Sequence, residues 1–352
     1  MKNKNLIITL ILVFLSLFFS CKNNRDAAYA AEADAFLTKL NFQGSVLVAK
    51  GSRIIYSKSY GFCDPKNKKS ELIKPESVFE AGSLTKQFTA AAIMQLEGQK
   101  KLSLQDKLSK YFPDYEYGDL ITLEMLLNMR SGLTDCINAS EEFFGKKTAA
   151  NIEKLQLQNK PLKKNILLEY FYKAPLLAPP DSTYFYCNTN YYLLAKIIEQ
   201  VSGESYEDYL QNHIFNKCKM KNTNLDFQKT DTKGYDYKGR YYSLPKELSL
   251  GCGDLNTSTL DLLKWNLALT RGKVTGKRQF KRMIKTNSSY GYGLYHKDKM
   301  VFHGGATNVF NSYNSFYLDS KISVIVLSNS PITKNNATVI AGRLYKMYKI
   351  SN

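Results

Sequence analysis

The stretch Glu80-Ala81-Gly82-Ser83-Leu84-Thr85-Lys86 leads into a helical pattern that extends from Leu84 to Gln99. We expect Ser83 in the first turn of that helix, near unpaired backbone N–H groups and the positive end of the helix dipole. Lys86 follows three residues later, almost on the same helical face. In a dry site the pKa of the Lys86 amine falls, and a neutral amine can take the proton of a serine hydroxyl.

The spacing Ser-x-x-Lys has an ordinary structural alternative, in which the serine only caps the helix and the lysine is solvated. The chain also contains a second match, Ser243-Leu244-Pro245-Lys246, which includes a proline and has no helical pattern around it. The spacing alone therefore does not identify a nucleophile, and two further stretches decide the matter.

The first is the pair Tyr186 and Asn188, which are separated by one residue and stand just before a helical pattern over Asn190 to Val201. A short loop at this point can direct both side chains into a cleft. The phenol would shuttle protons, and the amide would orient the substrate and the lysine. The alternative for Tyr186 is core packing, because the chain contains 25 tyrosines.

The second is Phe302-His303-Gly304-Gly305-Ala306, in which two glycines end a β-type run. Glycines allow the backbone of a substrate to lie against the edge of a strand. The N–H of Ala306 can join that of Ser83 in an oxyanion hole. The alternative for the glycine pair is a turn.

The wider sequence places β-type runs near both ends of the chain and helical patterns between them. Two early runs predict a hairpin around Lys50 to Arg53, and late runs occur at Ser312 to Leu318 and Ile322 to Leu327. Strands at both ends with helices between them predict one sheet that is built from the two ends of the chain. Residues 29–101 and 245–352 would form the sheet-containing domain, and residues 102–244 a mostly helical inserted domain.

The N-terminus carries a basic start, an apolar run from Leu6 to Phe19, and then Ser20-Cys21. The run is short for a membrane span but suits the core of a signal peptide. We therefore predict a signal peptide over 1–20, a lipidated Cys21 and a tether over 21–28; an uncleaved N-terminal anchor is the alternative. Either arrangement makes the chain an exported protein held on a membrane.

The composition excludes several function classes. The net charge is +18, but the lysines are dispersed among Asn and Tyr, so we interpret them as solvated and expect no nucleic-acid partner. An anionic envelope polymer or an acidic lipid surface is the alternative partner. With three histidines and no CxxC, we expect no metal. Besides Cys21 there are five cysteines, so at least one thiol lacks an intramolecular partner.

In order and spacing, three motifs resemble the active-site motifs of the family of class C β-lactamases and penicillin-binding proteins. The resemblance extends over about Phe42 to Tyr345. The motifs are Ser83-Leu84-Thr85-Lys86, Tyr186-Cys187-Asn188 and His303-Gly304-Gly305.

The resemblance implies an α/β (α+β) fold, with a mixed, mainly antiparallel sheet flanked by helices and an inserted helical domain. It also implies a site between the two domains, and it assigns roles to residues. Ser83 would be the nucleophile that becomes acylated, and Lys86 its activating partner. Tyr186 would act as general base and acid. Substrate would be bound by Asn188, His303, Gly304, Gly305 and Ala306.

Two kinds of departure from the family pattern stand out. Cys187 and Cys252 occupy positions where small residues are usual, and we interpret both as buried free thiols. His303 stands where class C β-lactamases have lysine, and a neutral histidine is a poorer anchor for a substrate carboxylate. This difference argues against antibiotic hydrolysis and favours peptidase or esterase activity.

We therefore predict a lipid-anchored serine hydrolase without a cofactor that acts on an amide or ester in the cell envelope. A peptide containing D-alanine is the first candidate substrate. The alternatives are a β-lactamase, a hydrolase of small esters, or a penicillin-binding sensor that is acylated but hardly turns over.

Overall fold

The computed structural model describes residues 25–136, 150, 165–241, 245–285, 288–331 and 335–351. The predicted signal peptide, Cys21 and the second Ser-x-x-Lys match at Ser243 lie outside these residues. No helix in the described part is both long and apolar enough to cross a membrane. Residues 25–28, which the sequence suggested as tether, are helical.

Eight strands form two sheets in the described residues. The strands are β1 (Gly44–Lys50), β2 (Arg53–Tyr60), β3 (Phe79–Gly82), β4 (Leu255–Thr257), β5 (Tyr295–Lys297), β6 (Met300–Ala306), β7 (Asn311–Tyr317) and β8 (Ile322–Ser328). The main sheet has the order β2-β1-β8-β7-β6-β5, and β3 pairs with β4 separately. All of these strand pairs are antiparallel, which confirms the predicted mainly antiparallel sheet.

Helices cover both faces of the main sheet and account for most of the remaining regular structure. They are α1 (25–39), α2 (Thr85–Gly98), α3 (Leu123–Leu127), α4 (Ile166–Phe171), α5 (Asn188–Ser202), α6 (Tyr206–Leu210), α7 (Asn216–Cys218), α8 (Lys246–Ser249), α9 (Thr259–Thr270), α10 (Lys277–Ile284) and α11 (Ala337–Ser351).

Strand β1 shows how the sheet is buried between these helices. Val46 and Val48 join an apolar cluster with α1 and α11, whereas Leu47 and Ala49 join the larger cluster on the other face, which includes α2 and α9. The alternation follows the two-residue period of a strand. Because β1 pairs with β8, strands from the two ends of the chain meet in the centre of the sheet.

The region between residues 102 and 244 contains helices and turns, and no strand is found in its described part. Helix α5 of this region packs against α2. Thr89 on α2 and Tyr206 on α6 share a hydrogen bond of 2.7 Å between their hydroxyl oxygens. Apolar side chains of this region belong to the same cluster as those of the sheet. The helical part therefore shares a core with the sheet, while the domain boundaries stay a prediction.

Three element ends position the predicted site residues. Helix α2 begins at Thr85, so Ser83 lies in the turn before it rather than in its first turn. Helix α5 begins at Asn188, earlier than the apolar pattern indicated, because the polar residues at its start are themselves buried. Strand β6 continues to Ala306, since pairing with β7 holds the two glycines in extended backbone.

Candidate active site

Ser83 is held in the turn between β3 and α2, where its side chain is partly exposed. Its carbonyl accepts a hydrogen bond from the N–H of Lys86 at 3.2 Å, so the turn leads directly into the helix. The preceding residue, Gly82, has a φ of +53°, which disfavours any side chain. The hydroxyl of Ser83 is thus fixed by a backbone shape that a glycine provides.

The Lys86 side chain is fully buried, and its amine contacts three oxygens of the site. Nζ lies 3.0 Å from Ser83 Oγ, 2.7 Å from Asn188 Oδ1 and 2.8 Å from the carbonyl oxygen of Cys252. The last two oxygens can only accept hydrogen bonds. A neutral amine satisfies both with its two N–H groups and keeps its lone pair for the proton of Ser83.

Burial also sets the protonation of this amine. Removal from water lowers the pKa of Lys86, because it disfavours the charged form. The shift is in the direction that a base requires if it is to accept the serine proton.

Tyr186 lies beside both groups at the entrance to α5. The ring centroid is 4.9 Å from Lys86 Nζ. Burial raises the pKa of Tyr186 well above its ordinary value, although the neighbouring Ser83 side chain acts in the opposite direction. The phenol is therefore protonated at neutral pH, which suits a proton donor and shuttle more than an initial base.

Asn188 connects the lysine to an acidic residue that the sequence analysis did not assign. While its Oδ1 accepts from Lys86, its Nδ2 donates to Asp135 Oδ2 at 2.9 Å. Asn188 is 7% exposed, so its amide is fixed by these two partners. Asp135 comes shortly after the stretch Arg130 to Leu133, and no motif spacing in the sequence identifies it as a site residue.

The end of β6 packs directly against the end of β3. A Cβ atom placed on Gly305 would lie 2.0 Å from the carbonyl oxygen of Ala81. The hydroxyl of Ser312, on β7, donates to the same oxygen at 2.7 Å. The close contact with Ala81, rather than room for substrate, explains why a glycine is needed at 305. A Cβ atom placed on Gly304 would meet its nearest neighbours only at 3.9 Å, an ordinary packing distance.

The packing brings Gly82, the residue before Ser83, against the backbone of Ala306, which is compatible with an oxyanion hole at this point. Strand β5 pairs only with the first part of β6, from Met300 to Phe302, so β6 extends beyond it from His303 onward. Ala306 is exposed at the end of this edge. The shared role of the Ser83 and Ala306 N–H groups stays a prediction.

His303 is the residue of β6 at which this unpaired edge begins, and its side chain is 1% exposed. Its Nδ1 lies 2.5 Å from the carbonyl oxygen of Gly304, which can only accept, so Nδ1 carries the proton. Nε2 then accepts a hydrogen bond from the Tyr290 hydroxyl at 3.2 Å. Burial, and next the charge of Lys86, lower the pKa of His303 to about 3. The imidazole is therefore neutral at physiological pH.

The cysteines near the site are free and buried, as the sequence suggested for Cys187 and Cys252. Burial raises the pKa of the Cys252 thiol to about 12, which makes it a poor nucleophile. In the described residues, no group of three or more His, Cys, Asp or Glu side chains is arranged to hold a metal ion.

Lys86 contacts Ser83 and Asn188 and lies under the ring of Tyr186, as the resemblance implied, and comparison with known proteins identifies the family. The family model described as Beta-lactamase matches residues 33–344. The chain belongs to the β-lactamase family. Like the family's hydrolases, it is a serine hydrolase, and its structure has the mixed α/β fold of the family.

Individual relatives cover most of the chain. A penicillin-binding protein of Bacillus subtilis (strain 168) is 31% identical over 323 residues, which are 83% of this chain and 69% of that protein. The teichoic acid D-alanine hydrolase of Staphylococcus aureus (strain NCTC 8325 / PS 47) is 26% identical over 337 residues, covering 92% and 78%. The octameric penicillin-binding protein homologue from Pyrococcus abyssi has a TM-score of 0.75 at 26% identity, covering 91% of this chain and 77% of that one.

Proposed function

We propose that this serine hydrolase cleaves an amide or ester of a D-amino acid, with D-alanine as the first candidate, in the cell envelope. The observation that carries the proposal is the buried Lys86 amine, 3.0 Å from Ser83 Oγ with its other two contacts made to obligate acceptors. This geometry supplies a base for the serine at the point where acylation begins.

The reaction would proceed through an acyl-enzyme. Ser83 Oγ attacks the substrate carbonyl while its proton moves to Lys86 Nζ, and the N–H groups of Ser83 and Ala306 stabilise the oxyanion. The Tyr186 hydroxyl passes a proton to the leaving nitrogen or oxygen as the scissile bond breaks. Lys86 then passes the proton that it took from Ser83 to Tyr186. Water attacks the ester on Ser83 and loses a proton to these groups, and that proton moves to Ser83 Oγ as the acyl product leaves.

Two features favour a D-alanyl substrate over a β-lactam antibiotic. One similar protein is named a teichoic acid D-alanine hydrolase. In addition, the neutral and buried His303 offers no positive charge to the carboxylate that β-lactams carry.

The test is a panel of a D-alanyl ester, a D-alanyl-D-alanine peptide, a cephalosporin and a p-nitrophenyl ester, followed by burst kinetics. We expect steady turnover of the D-alanyl ester that is lost in Ser83→Ala. A fluorescent phosphonate should label Ser83 in the wild type and not in Ser83→Ala, with Ser243→Ala as the matched control that still labels. A burst of one equivalent without turnover on every substrate would contradict hydrolysis and indicate a sensor.

We further propose that the chain is exported and anchored by lipid on Cys21. The support is the sequence alone: an apolar run of signal-peptide length followed directly by Ser20-Cys21. Mass spectrometry of the membrane-extracted protein should show a chain that begins at a modified Cys21. An intact chain from Met1 with unmodified Cys21 would refute the anchor.

A further inference from the structure

The basic residues of the chain are not all dispersed. Between Asp261 and Asp298 the sequence contains nine lysines and arginines and no aspartate or glutamate. Five of them lie on helix α10 or in the turn before it and have exposed side chains; we call these five the basic α10 surface: Arg271, Lys273, Lys277, Arg278 and Lys281. None of the five forms an ion pair with an acidic residue that the structure describes, whereas the adjacent Arg282 pairs with Glu97 at 2.6 Å.

The turn before α10 brings its cations against those of the helix. Gly272 has a φ of +71°, and a Cβ atom placed on it would lie 2.7 Å from the nitrogen of Lys277. The N–H of Gly276 donates to the carbonyl of Gly272 at 3.1 Å, which closes the turn. Arg271 and Lys273, on either side of Gly272, are therefore neighbours of the first turn of α10. The five cations form one continuous surface.

Helix α10 is fixed to the body of the protein by its other face. Phe280 and Met283 are buried. The carbonyl of Met283 accepts a hydrogen bond from the N–H of Tyr292 at 2.9 Å, and Arg282 bonds to Glu97 in the last turn of α2. The surface cations are therefore held on a rigid support, which lowers the entropy cost of binding a partner with repeated charges.

The charges of this helix oppose its own stability. Lys277 and Arg278 stand in the first turn, where the helix dipole disfavours positive charge, and no acidic residue accompanies them there. Lys277 and Lys281 are four residues apart, a spacing at which like charges on a helix repel each other. Gly276 supplies no side-chain acceptor to cap the helix. A local arrangement that costs stability is expected where a partner compensates the charge.

The chemistry of the surface selects among anionic partners. Residues 271–284 include no exposed large apolar side chain, since Phe280 and Met283 are buried. The segment therefore lacks the apolar face with which a helix enters a lipid surface, and also the aromatic side chains on which nucleic-acid bases stack. Lysine and arginine bind phosphate groups through charge-assisted hydrogen bonds. One helical turn rises by about 5.4 Å, so Lys277 and Lys281 can contact successive charges of a polymer with closely spaced phosphates.

We propose that the basic α10 surface binds a linear polyanion with closely spaced phosphate groups. This binding does not depend on the proposed hydrolase activity, because none of the five residues belongs to the active site. The anionic partner that the net charge left open is thereby assigned to a polymer rather than to a lipid surface.

The experiment measures binding of the full chain to fluorescently labelled long-chain polyphosphate by anisotropy, at several salt concentrations. We expect an affinity that falls steeply with salt, because bound cations displace the counterions of a polyanion. The α10 triple variant, Lys277→Gln/Arg278→Gln/Lys281→Gln, should weaken binding by about 10-fold or more and reduce the salt dependence. Lys277→Arg/Arg278→Lys/Lys281→Arg keeps the three charges and should bind like the wild type.

The matched control is Lys39→Gln/Arg343→Gln/Lys346→Gln, which removes the same three charges from exposed positions on α1 and α11. These helices belong to the apolar cluster on the other face of the main sheet from α10. The control should bind polyphosphate almost as tightly as the wild type. Equal losses in the two triple variants would show that the polymer responds only to the net charge of +18, and the inference would be overturned.

A second probe separates a polymer from a membrane. Phosphatidylcholine vesicles with and without phosphatidylglycerol are compared for binding of the wild type and of the α10 triple variant. We expect the two proteins to bind both kinds of vesicle alike. If the α10 triple variant keeps polyphosphate binding but loses its binding to the anionic vesicles, the surface faces a membrane and the inference is overturned.

Discussion

Gly82 lies directly against the backbone of Ala306, so the strand that carries the nucleophile touches the strand that ends in the predicted oxyanion hole. A Cβ atom on Gly82 would come within 2.8 Å of the carbonyl oxygen of Ala306 and 2.9 Å of its nitrogen. Real Cβ atoms essentially never approach backbone atoms this closely, so a side chain here must move one of the two strands.

Gly82→Ala should therefore separate the Ser83 and Ala306 N–H groups and lower kcat by about 10²-fold, comparable to the loss of one oxyanion-hole donor. The measurement is kcat on the best substrate together with the rate of phosphonate labelling of Ser83. Gly51→Ala is the matched control, because Gly51 has a similar φ of +59° but has no atom within 4 Å of its Cβ position. A loss of kcat that is no greater than in Gly51→Ala would contradict the packing argument.

The burial of Glu80, which also lies on β3, should make the free energy of unfolding depend on pH. It is buried, and burial raises its pKa from 4.5 to about 8, with a hydrogen bond to Thr307 as a smaller opposing effect. Between these values the unfolded chain loses the proton and the folded chain keeps it, so the free energy of unfolding falls as pH rises. Asp254, with a pKa raised by burial to about 7, contributes in the same direction.

In the wild type, Glu80 should lower the unfolding free energy by roughly 3 kcal/mol between pH 5 and pH 8. Glu80→Gln should lack this contribution. Chemical denaturation of the variant and the wild type at both pH values measures it. Glu116→Gln, at an exposed position, serves as the control and should leave the pH dependence unchanged. An identical pH dependence in Glu80→Gln and wild type would show that Glu80 is ionised in the folded protein.

The long elements were predictable because their patterns are intrinsic to the chain. The β-type runs predicted β1 and β8, which are buried along nearly their whole length, and the apolar spacing predicted α2 and α5. Short strands such as β3 and β5 escaped prediction, because they have four and three residues and are specified by the partners they pair with. The sequence identified the longer strands near the two ends of the chain, but only the structure shows that β3 lies against β6.

The candidate site was predictable to a similar degree. Ser83, Lys86, Tyr186, Asn188 and His303 have motif spacing, and the structure brings them together. Asp135 and the Cys252 carbonyl were missed for a physical reason: a lone aspartate and a backbone acceptor have no sequence signature, and only tertiary packing brings them to Lys86 and Asn188.

His303 predicts the response to substrate charge. With its pKa lowered to about 3 by burial, the imidazole stays neutral between pH 5 and 8. The ratio of KM values for a carboxylate substrate and a neutral ester should therefore stay constant over this range. His303→Lys should shift preference toward the carboxylate substrate or a β-lactam. A KM for the carboxylate substrate that rises with pH, or a His303→Lys variant with unchanged preference, would refute a neutral His303.

Lys86 and Tyr186 predict non-additive losses, because one amine and one phenol share the proton of Ser83. Nζ is 3.0 Å from Ser83 Oγ and 4.9 Å from the Tyr186 ring centroid, and the same serine also acts on the pKa of the phenol. Lys86→Ala and Tyr186→Phe should each lower kcat/KM by about 10²-fold or more. The double variant should lose much less than the product, since groups acting as a unit cannot be removed twice. Tyr184→Phe, on the exposed side of the loop, is the control. Fully multiplicative losses would show that the two residues act on separate steps.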